Sequence, residues 1–444
     1  MSFTRPPINT LALQRSSYFT RPIASSACLH APSAASNGHG ATYGGTTRYG
    51  MFTNNNGCVD LQVVFQNWIS NEGATGATEK TAGLSPVSFL NVFIEYNGTT
   101  YQCLLNGANT FTLSPGATIV MDILELAIPP NTQFFVRYCI TFPNGGFIPN
   151  MSTWQNSSNN YWQNYSTTIT DITSSTGTGG LSQAAVYMTP TCILGAPPAT
   201  TPVQPIAGVV GDSIYDGVFT ADNYSSHPMV ALNSNNIMST KGAIPSETGT
   251  SFNLDVNSTR RMQLLSLCDV IFTNYGTNDI YLSPPTLSFA QMQTMLLQLW
   301  TKLYRLRAAR IVQDTILPRC TNNTTPASAQ AVISAPFEAI RQSVNAWLRA
   351  PISAGPGASA LYDAKGILAR VIDSASYVET DTTNAVPGGP TAPNLGGRWY
   401  CGVANNANMS QDGVHPNITT YPYLAKFISV DIVGTFTIDS GSIT

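Results

Sequence analysis

An α/β half in which a parallel sheet is flanked by helices, preceded by an all-β module of sandwich or jelly-roll type, is the fold this 444-residue sequence predicts. Two observations carry that expectation. Between Cys58 and Leu194, short alternating apolar runs are separated by turn dipeptides, and no long helical period intervenes. From Ile206 onward, short apolar runs alternate with stretches of helical period, the grammar of a sheet covered on both faces. A chain of this length exceeds one comfortable core, so the two grammars imply two folded units. The expected bounds are a flexible or partner-docked arm over 1–50, a β module over 51–195, a proline-rich linker over 196–205 and the layered domain over 206–444.

Residues 1–50 are rich in Ser, Ala, Gly and Thr and show no sustained period, which predicts the arm. Val59, Leu61, Val63 and Phe65 then alternate with mostly polar neighbours, as a half-buried strand requires. Strands are expected over 88–96 and 99–104, joined by Asn97-Gly98, the dipeptide that best tolerates the positive φ values of a type I′ turn. Further strands follow over 110–113, 119–128 and 133–142, punctuated by Pro115-Gly116 and Pro129-Pro130-Asn131. The stretch 144–180 is a long polar excursion. Its Tyr161, Trp162 and Tyr165 are read as anchors that pin the loop, with a sugar-stacking surface as the alternative. One more strand over 185–194 precedes the linker, whose four prolines make it stiff.

In the second half, 206–210 is a fully apolar strand. Asn257 or Ser258 is positioned to cap a helix through Met262, Leu265 and Leu267, and 270–273 is the next strand. Ser288 opens a longer helix with Phe289, Met292, Leu296, Leu299, Leu303 and Leu306 on one face. A strand over 310–317 follows, then a helix opened by Ser334 and Pro336 that buries Ile340, Val344 and Trp347.

Composition narrows the function classes. Hydrophobic residues make up 43% of the chain but charged residues only 10%, against about 25% in an ordinary soluble protein. Ser, Thr, Asn and Gly must therefore cover the surface, as in extracellular and viral β proteins. The net charge is −3 and no basic run exceeds a pair such as Arg260-Arg261, which argues against nucleic acid as a partner. No stretch approaches the roughly 18 apolar residues of a membrane span, and 1–27 lacks the apolar core of a secretion signal. The expected location is extracellular or virion-associated, reached without a standard signal peptide. Eight scattered cysteines show no CxxC and no Cys/His cluster, so no zinc site is expected. Pairing among Cys58, Cys103, Cys139 and Cys192 and burial as free thiols both remain open.

Three polar clusters fall where a parallel sheet places its active groups, at the carboxyl ends of strands. Gly211-Asp212-Ser213-Ile214 follows the strand ending at Val210, where a serine would stand beside uncommitted N–H groups; alternatively Asp212-Ser213 only caps a helix. Tyr275-Gly276-Thr277-Asn278-Asp279 follows the strand ending near Thr273 and offers an amide donor. Asp412-Gly413-Val414-His415-Pro416 supplies a base that titrates near neutrality, with a carboxylate three residues earlier to orient it. The other three histidines, His30, His39 and His227, have no comparable partner in sequence.

In this order the clusters resemble the SGNH (GDSL-type) hydrolase family, whose blocks read GDS, a central glycine, GxND and DxxH. Gly211 to Ser213, Gly276 to Asp279 and Asp412 to His415 match three of them, and the resemblance covers the chain from Ile206 onward. It implies an SGNH-like layered domain and a serine esterase with Ser213 as nucleophile, His415 as base and Asp412 as the carboxylate that orients it. Ser213, Gly242 and Asn278 would form the oxyanion hole. Gly242 is the counterpart of the central glycine, although Thr240-Lys241 stands where the family shows an Asn-Arg-like run. Such chemistry needs no metal and no organic cofactor. The appended β module, the sparsely charged surface and the lack of a secretion signal point to an acylated polysaccharide as the substrate, with O-acetyl as its concrete form, and to further copies of the chain or other virion proteins as companions. The rival from another class is a structural or glycan-binding virion protein whose hydrolase-like domain is inactive.

Overall fold

The computed structural model describes residues 21–25, 33–36, 41–55, 57–71, 78–151, 161–183, 186–198, 205–220, 225–282, 287–307, 310–321, 329–350, 368–380, 383, 386–387, 389, 396–401 and 409–435. Residues 1–20 of the expected arm and 199–204 of the expected linker lie outside this set.

The first half builds two principal antiparallel sheets. One runs in the order Tyr161–Gln163, Tyr43–Phe52, Gln133–Phe142, Val87–Tyr96, Thr99–Cys103, with Phe111–Leu113 also paired to Val87–Tyr96. The other joins Arg21–Ser25, Cys192–Ala196, Asp60–Gln66 and Thr118–Val120. Period-2 patterning sends Leu61, Val63 and Phe65 from one and Val92, Ile94, Phe134, Val136, Tyr138 and Ile140 from the other into a single buried cluster. Asn97 and Gly98 take φ of 48° and 72° at the expected hairpin.

The expected arm needs amendment. Tyr43–Phe52, inside the stretch expected to be an arm, is a strand paired along its whole length with Gln133–Phe142. No apolar period announces it, because buried positions on it are filled by Thr46, Thr47 and Arg48. Arg48 is satisfied by a two-pronged pair with Glu95 at 2.7 and 2.9 Å, and its guanidinium lies 3.2 Å over the Phe135 ring. The aromatic trio of the polar excursion packs inward: Trp162 lies against Phe135, and Tyr165 Oη accepts from Thr47 Oγ1 at 2.9 Å. The seven described cysteines are free and buried, and burial pushes the thiols of Cys58, Cys103, Cys139 and Cys192 up to about 12.

The second half is a five-stranded parallel sheet. Its strands are labelled β1 (Ile206–Val210), β2 (Met238–Lys241), β3 (Val270–Thr273), β4 (Arg310–Asp314) and β5 (Leu368–Ile372), in the spatial order β2-β1-β3-β4-β5. Alternate residues face opposite layers. Ala207, Val209, Val270, Phe272 and Val312 join one cluster, while Ile206, Val210, Ile271 and Ile311 join the other. The first layer is closed by α2 (His227–Ser234) and α8 (Thr420–Thr435). The second is closed by α3 (Gly249–Asn253), α6 (Phe289–Arg307) and α7 (Ala335–Arg349). Coverage on both faces is why the central strands β1 and β3 carry almost unbroken apolar runs.

The two halves are joined by buried charge as well as apolar contact. Helix α4 (Thr259–Leu265) has Ser258 at its N-cap, as expected, but that hydroxyl bonds to Leu254 O instead of capping the helix. The carboxylate of Glu79, from a short strand of the β module, takes the role by accepting the N–H groups of Arg260 and Arg261 at 2.8 and 2.7 Å. Arg261 then bridges to Glu247 through two bonds of 2.6 and 2.7 Å, with all three side chains fully buried.

Candidate active site

The turn from β1 into α1 (Ser213–Asp216) fixes the serine. Asp212 is the N-cap, its Oδ1 accepting Ile214 N–H at 2.9 Å, so the capping reading is met while Ser213 Oγ remains available. A second lock was not foreseen. Asn274, at the end of β3, donates Nδ2 to Asp212 Oδ1 at 2.8 Å and accepts Asp212 N–H on its own Oδ1 at 3.1 Å. Any Cβ at position 211 would lie 1.9 Å from that Oδ1, so the close approach requires Gly211. Its position at the carboxyl end of a central strand was the one signal available for Asn274.

Ser213 and His415, 202 residues apart, meet: Ser213 Oγ lies 2.7 Å from His415 Nε2. His415 Nδ1 lies 2.8 Å from Asp412 Oδ2, while Asp412 Oδ1 accepts the N–H groups of Val414 and His415, each at 2.8 Å. Burial raises the Asp412 carboxyl, but the His415 ring and these two N–H groups outweigh it and hold the group down to about 2. Asp412 is therefore ionised wherever His415 is neutral, which fixes the tautomer that turns Nε2 to the serine. The turn has its own scaffold. Gly413 O accepts from Trp399 Nε1 at 2.9 Å and from Cys320 N–H at 2.8 Å, and Ser410 Oγ ties Gly413 N–H to His415 O. Phe219 meets the His415 ring edge to face at 5.4 Å. Sequence reasoning assigned no role to Trp399 or Phe219.

Asn278 lies in α5 (Thr277–Tyr281), buried, with one Nδ2 hydrogen donated to Glu247 O at 3.0 Å. Gly276 enters that helix at φ 143°, a conformation open to glycine alone, where a Cβ would strike Ile316 at 2.5 Å. The assignment of Gly242 is corrected by the structure. Its N–H donates to Val209 O at 2.7 Å, continuing the β1–β2 ladder, and is not available to an oxyanion. Ser246 has the freer group. Among the described residues nothing accepts its N–H. It stands at φ 64°, between Ile244, whose N–H donates to Gly211 O, and Glu247, whose carbonyl is held by Asn278. Ser213 N–H, at the first position of α1, likewise has no intrahelical acceptor.

Burial pushes Asp212 up to about 6, against hydrogen bonds from Asn274 and Ile214 that favour its charged form. In the unfolded chain the carboxyl titrates at about 3.9. Between those values the unfolded chain has released a proton that the folded chain keeps, so stability is lost as pH rises through that window. Asp212→Asn keeps the capping oxygen and removes the titration. Its Tm is expected to gain on that of the native chain as pH rises from about 4 to 7; a Tm difference that does not change with pH would refute the assignment.

Among the described residues no group of His, Cys, Asp or Glu is arranged to hold a metal ion, and no helix is long and apolar enough to cross a membrane. No family model and no curated protein matches the chain. Solved structures that resemble it include a family two carbohydrate esterase from Clostridium thermocellum in complex with cellohexaose, at 11% identity and TM-score 0.35, covering 94% of this chain and 98% of that one. A GDSL-like lipase from Bacteroides thetaiotaomicron matches at 18% identity and TM-score 0.33 over 52% of this chain and 91% of its own. A salicylyl-acyltransferase from a tetracycline biosynthetic pathway matches at 12% identity and TM-score 0.34 over 88% and 82%. These likenesses are remote, and the geometry of the site is what points to a chemistry.

Proposed function

We propose that this chain is a serine esterase of SGNH type that removes acyl groups, O-acetyl in the first instance, from a polysaccharide. The observation that carries the proposal is the hydrogen-bonded relay from Ser213 Oγ through His415 to Asp412, at 2.7 and 2.8 Å. Ser213 attacks the ester carbonyl as His415 Nε2 takes its proton, and the same proton passes to the departing alcohol. Water, deprotonated by His415, then releases the acid from the acyl-serine. Negative charge on the carbonyl oxygen is met by the N–H groups of Ser213 and Ser246 and by the second hydrogen of Asn278 Nδ2.

The glycan half of the reading is supported by the sparsely charged surface and by a β module, read here as a sandwich, that grips the hydrolase half through Glu79. The same features support an extracellular or virion-associated setting, with further copies of the chain or virion proteins as companions. Incubation with acetylated xylan and with p-nitrophenyl acetate, reading released acetate and nitrophenol, tests the proposal. Turnover of both esters, together with covalent labelling of Ser213 by a fluorophosphonate, is expected. An unlabelled Ser213 and no turnover would overturn it, and turnover of the nitrophenyl ester alone would remove the polysaccharide.

A further inference from the structure

Most of the described arginines that are withdrawn from solvent are matched to carboxylates. Arg48 and Arg137 share Glu95, Arg261 joins Glu79 to Glu247, Arg341 holds Glu338 and Glu379, and Arg349 holds Asp373. Arg398 donates instead to the carbonyls of Gln330 and Gly396, but Arg319 has neither kind of partner. The residue is half-buried, and its Nε and Nη1 are buried with no hydrogen-bond partner. Its guanidinium lies over the face of Tyr281, 5.0 Å from the ring centre. An ionised donor held out of water without an acceptor is costly. Natural chains keep such a departure mainly at functional sites, where a ligand can supply what the fold withholds.

Its place in the fold is the active-site edge. Arg319 follows the carboxyl end of β4, and the N–H of the next residue, Cys320, donates to Gly413 O in the turn that carries Asp412 and His415. Tyr281, beneath the guanidinium, ends the helix that presents Asn278. The charge is close enough to Asp212 and Asp412 to act on both, yet neither carboxylate bonds to it. Asp412 is already engaged by the His415 ring and two backbone N–H groups. Two donors of the fork thus stand within the electrostatic reach of Asp212 and Asp412, the residues next to the nucleophile and the base, and have no protein acceptor.

We propose that Arg319 binds the substrate, taking a carboxylate that the substrate carries next to the scissile ester. The inference rests on the esterase reading of the site and names the substrate class within it. A guanidinium matches a carboxylate in two parallel bonds, a geometry that no sugar hydroxyl offers. Two sources present that group. A uronic acid carries it on the alcohol side of an O-acyl ester, and a half-esterified dicarboxylic acid carries it on the acyl side.

The test compares kcat/KM of the native enzyme, Arg319→Gln and Arg319→Lys on two ester pairs: O-acetyl glucuronate against O-acetyl glucose, and p-nitrophenyl hemisuccinate against p-nitrophenyl acetate. The native enzyme is expected to favour the charged member of one pair by roughly ten- to a hundredfold, the worth of a hydrogen bond to a charged group. The favoured pair identifies the side on which the carboxylate sits. Arg319→Gln should bring that ratio close to one, and Arg319→Lys should keep part of it. The assignment fails if the native enzyme shows no preference, if the preference survives Arg319→Gln, or if that variant lowers charged and neutral esters equally, as a purely structural role would. Fluorophosphonate labelling of Ser213 separates the two levels. With labelling intact, those outcomes remove only Arg319; with neither labelling nor hydrolysis, the esterase reading falls and this one with it.

Discussion

Ser213→Ala is expected to lower kcat for p-nitrophenyl acetate by on the order of 10⁴ to 10⁶, and His415→Ala by nearly as much. Hydroxyl and imidazole act as one unit across a 2.7 Å contact. Removing either leaves no activated nucleophile, so the double variant should be scarcely worse than the single ones. What survives comes from the oxyanion donors and from substrate binding, which neither substitution touches. Folding is not expected to suffer. Ser213 is only half-buried, and the cap of α1 is made by Asp212, so a circular dichroism spectrum and Tm close to native should accompany the loss. Retention of more than about a hundredth of native kcat by well-folded Ser213→Ala would place the nucleophile elsewhere.

The candidate site residues are legible in the sequence because a parallel sheet gathers the ends of its strands, however far apart they lie in sequence. Ser213, Asn278 and the Asp412–His415 turn sit just past strands or inside a short polar motif, and each residue type is the one the chemistry demands. Burial decided what else could be read. The central strands β1, β3 and β4 are expected from the sequence, β1 and β3 from apolar runs, whereas the edge strands β2 and β5 are not. An edge strand has one neighbour and tolerates polar side chains, and Met238–Lys241 is mostly polar. Lys241 is nonetheless buried, held by Asp216 at 2.7 Å.

The same blindness to long-range polar pairing hid Tyr43–Phe52 and the capping of α4 by Glu79. Both depend on a partner from a distant part of the chain, Glu95 for Arg48 and Glu79 for Arg261, and no local pattern predicts such a match. The family resemblance points to Gly242 as the counterpart of the central glycine, whose backbone N–H would approach the ligand. The fold places that freedom four residues later, at Ser246, where a left-handed φ of 64° is held by a residue that does not advertise it.

Asn278→Ala is expected to cost on the order of 10² to 10³ in kcat, with KM changed by less than about threefold. The asymmetry follows from when the charge exists. A ground-state ester carbonyl is neutral and gains little from a third donor, but the tetrahedral intermediate places a full charge on that oxygen, in a site where Asn278 is buried and water cannot substitute. One complication can be separated by measurement. The Nδ2 of Asn278 also holds Glu247 O, so the variant removes a tie to the loop that presents Ser246. That loop keeps its other anchors: Glu247 remains clamped by Arg261 at 2.6 and 2.7 Å and by Tyr275 Oη at 2.5 Å, and Ile244 N–H still reaches Gly211 O. A lost donor therefore appears as a fall in kcat at nearly constant KM and Tm. A displaced loop would instead raise KM and lower Tm together, and an Asn278→Ala enzyme within tenfold of native kcat would leave the oxyanion to the backbone alone.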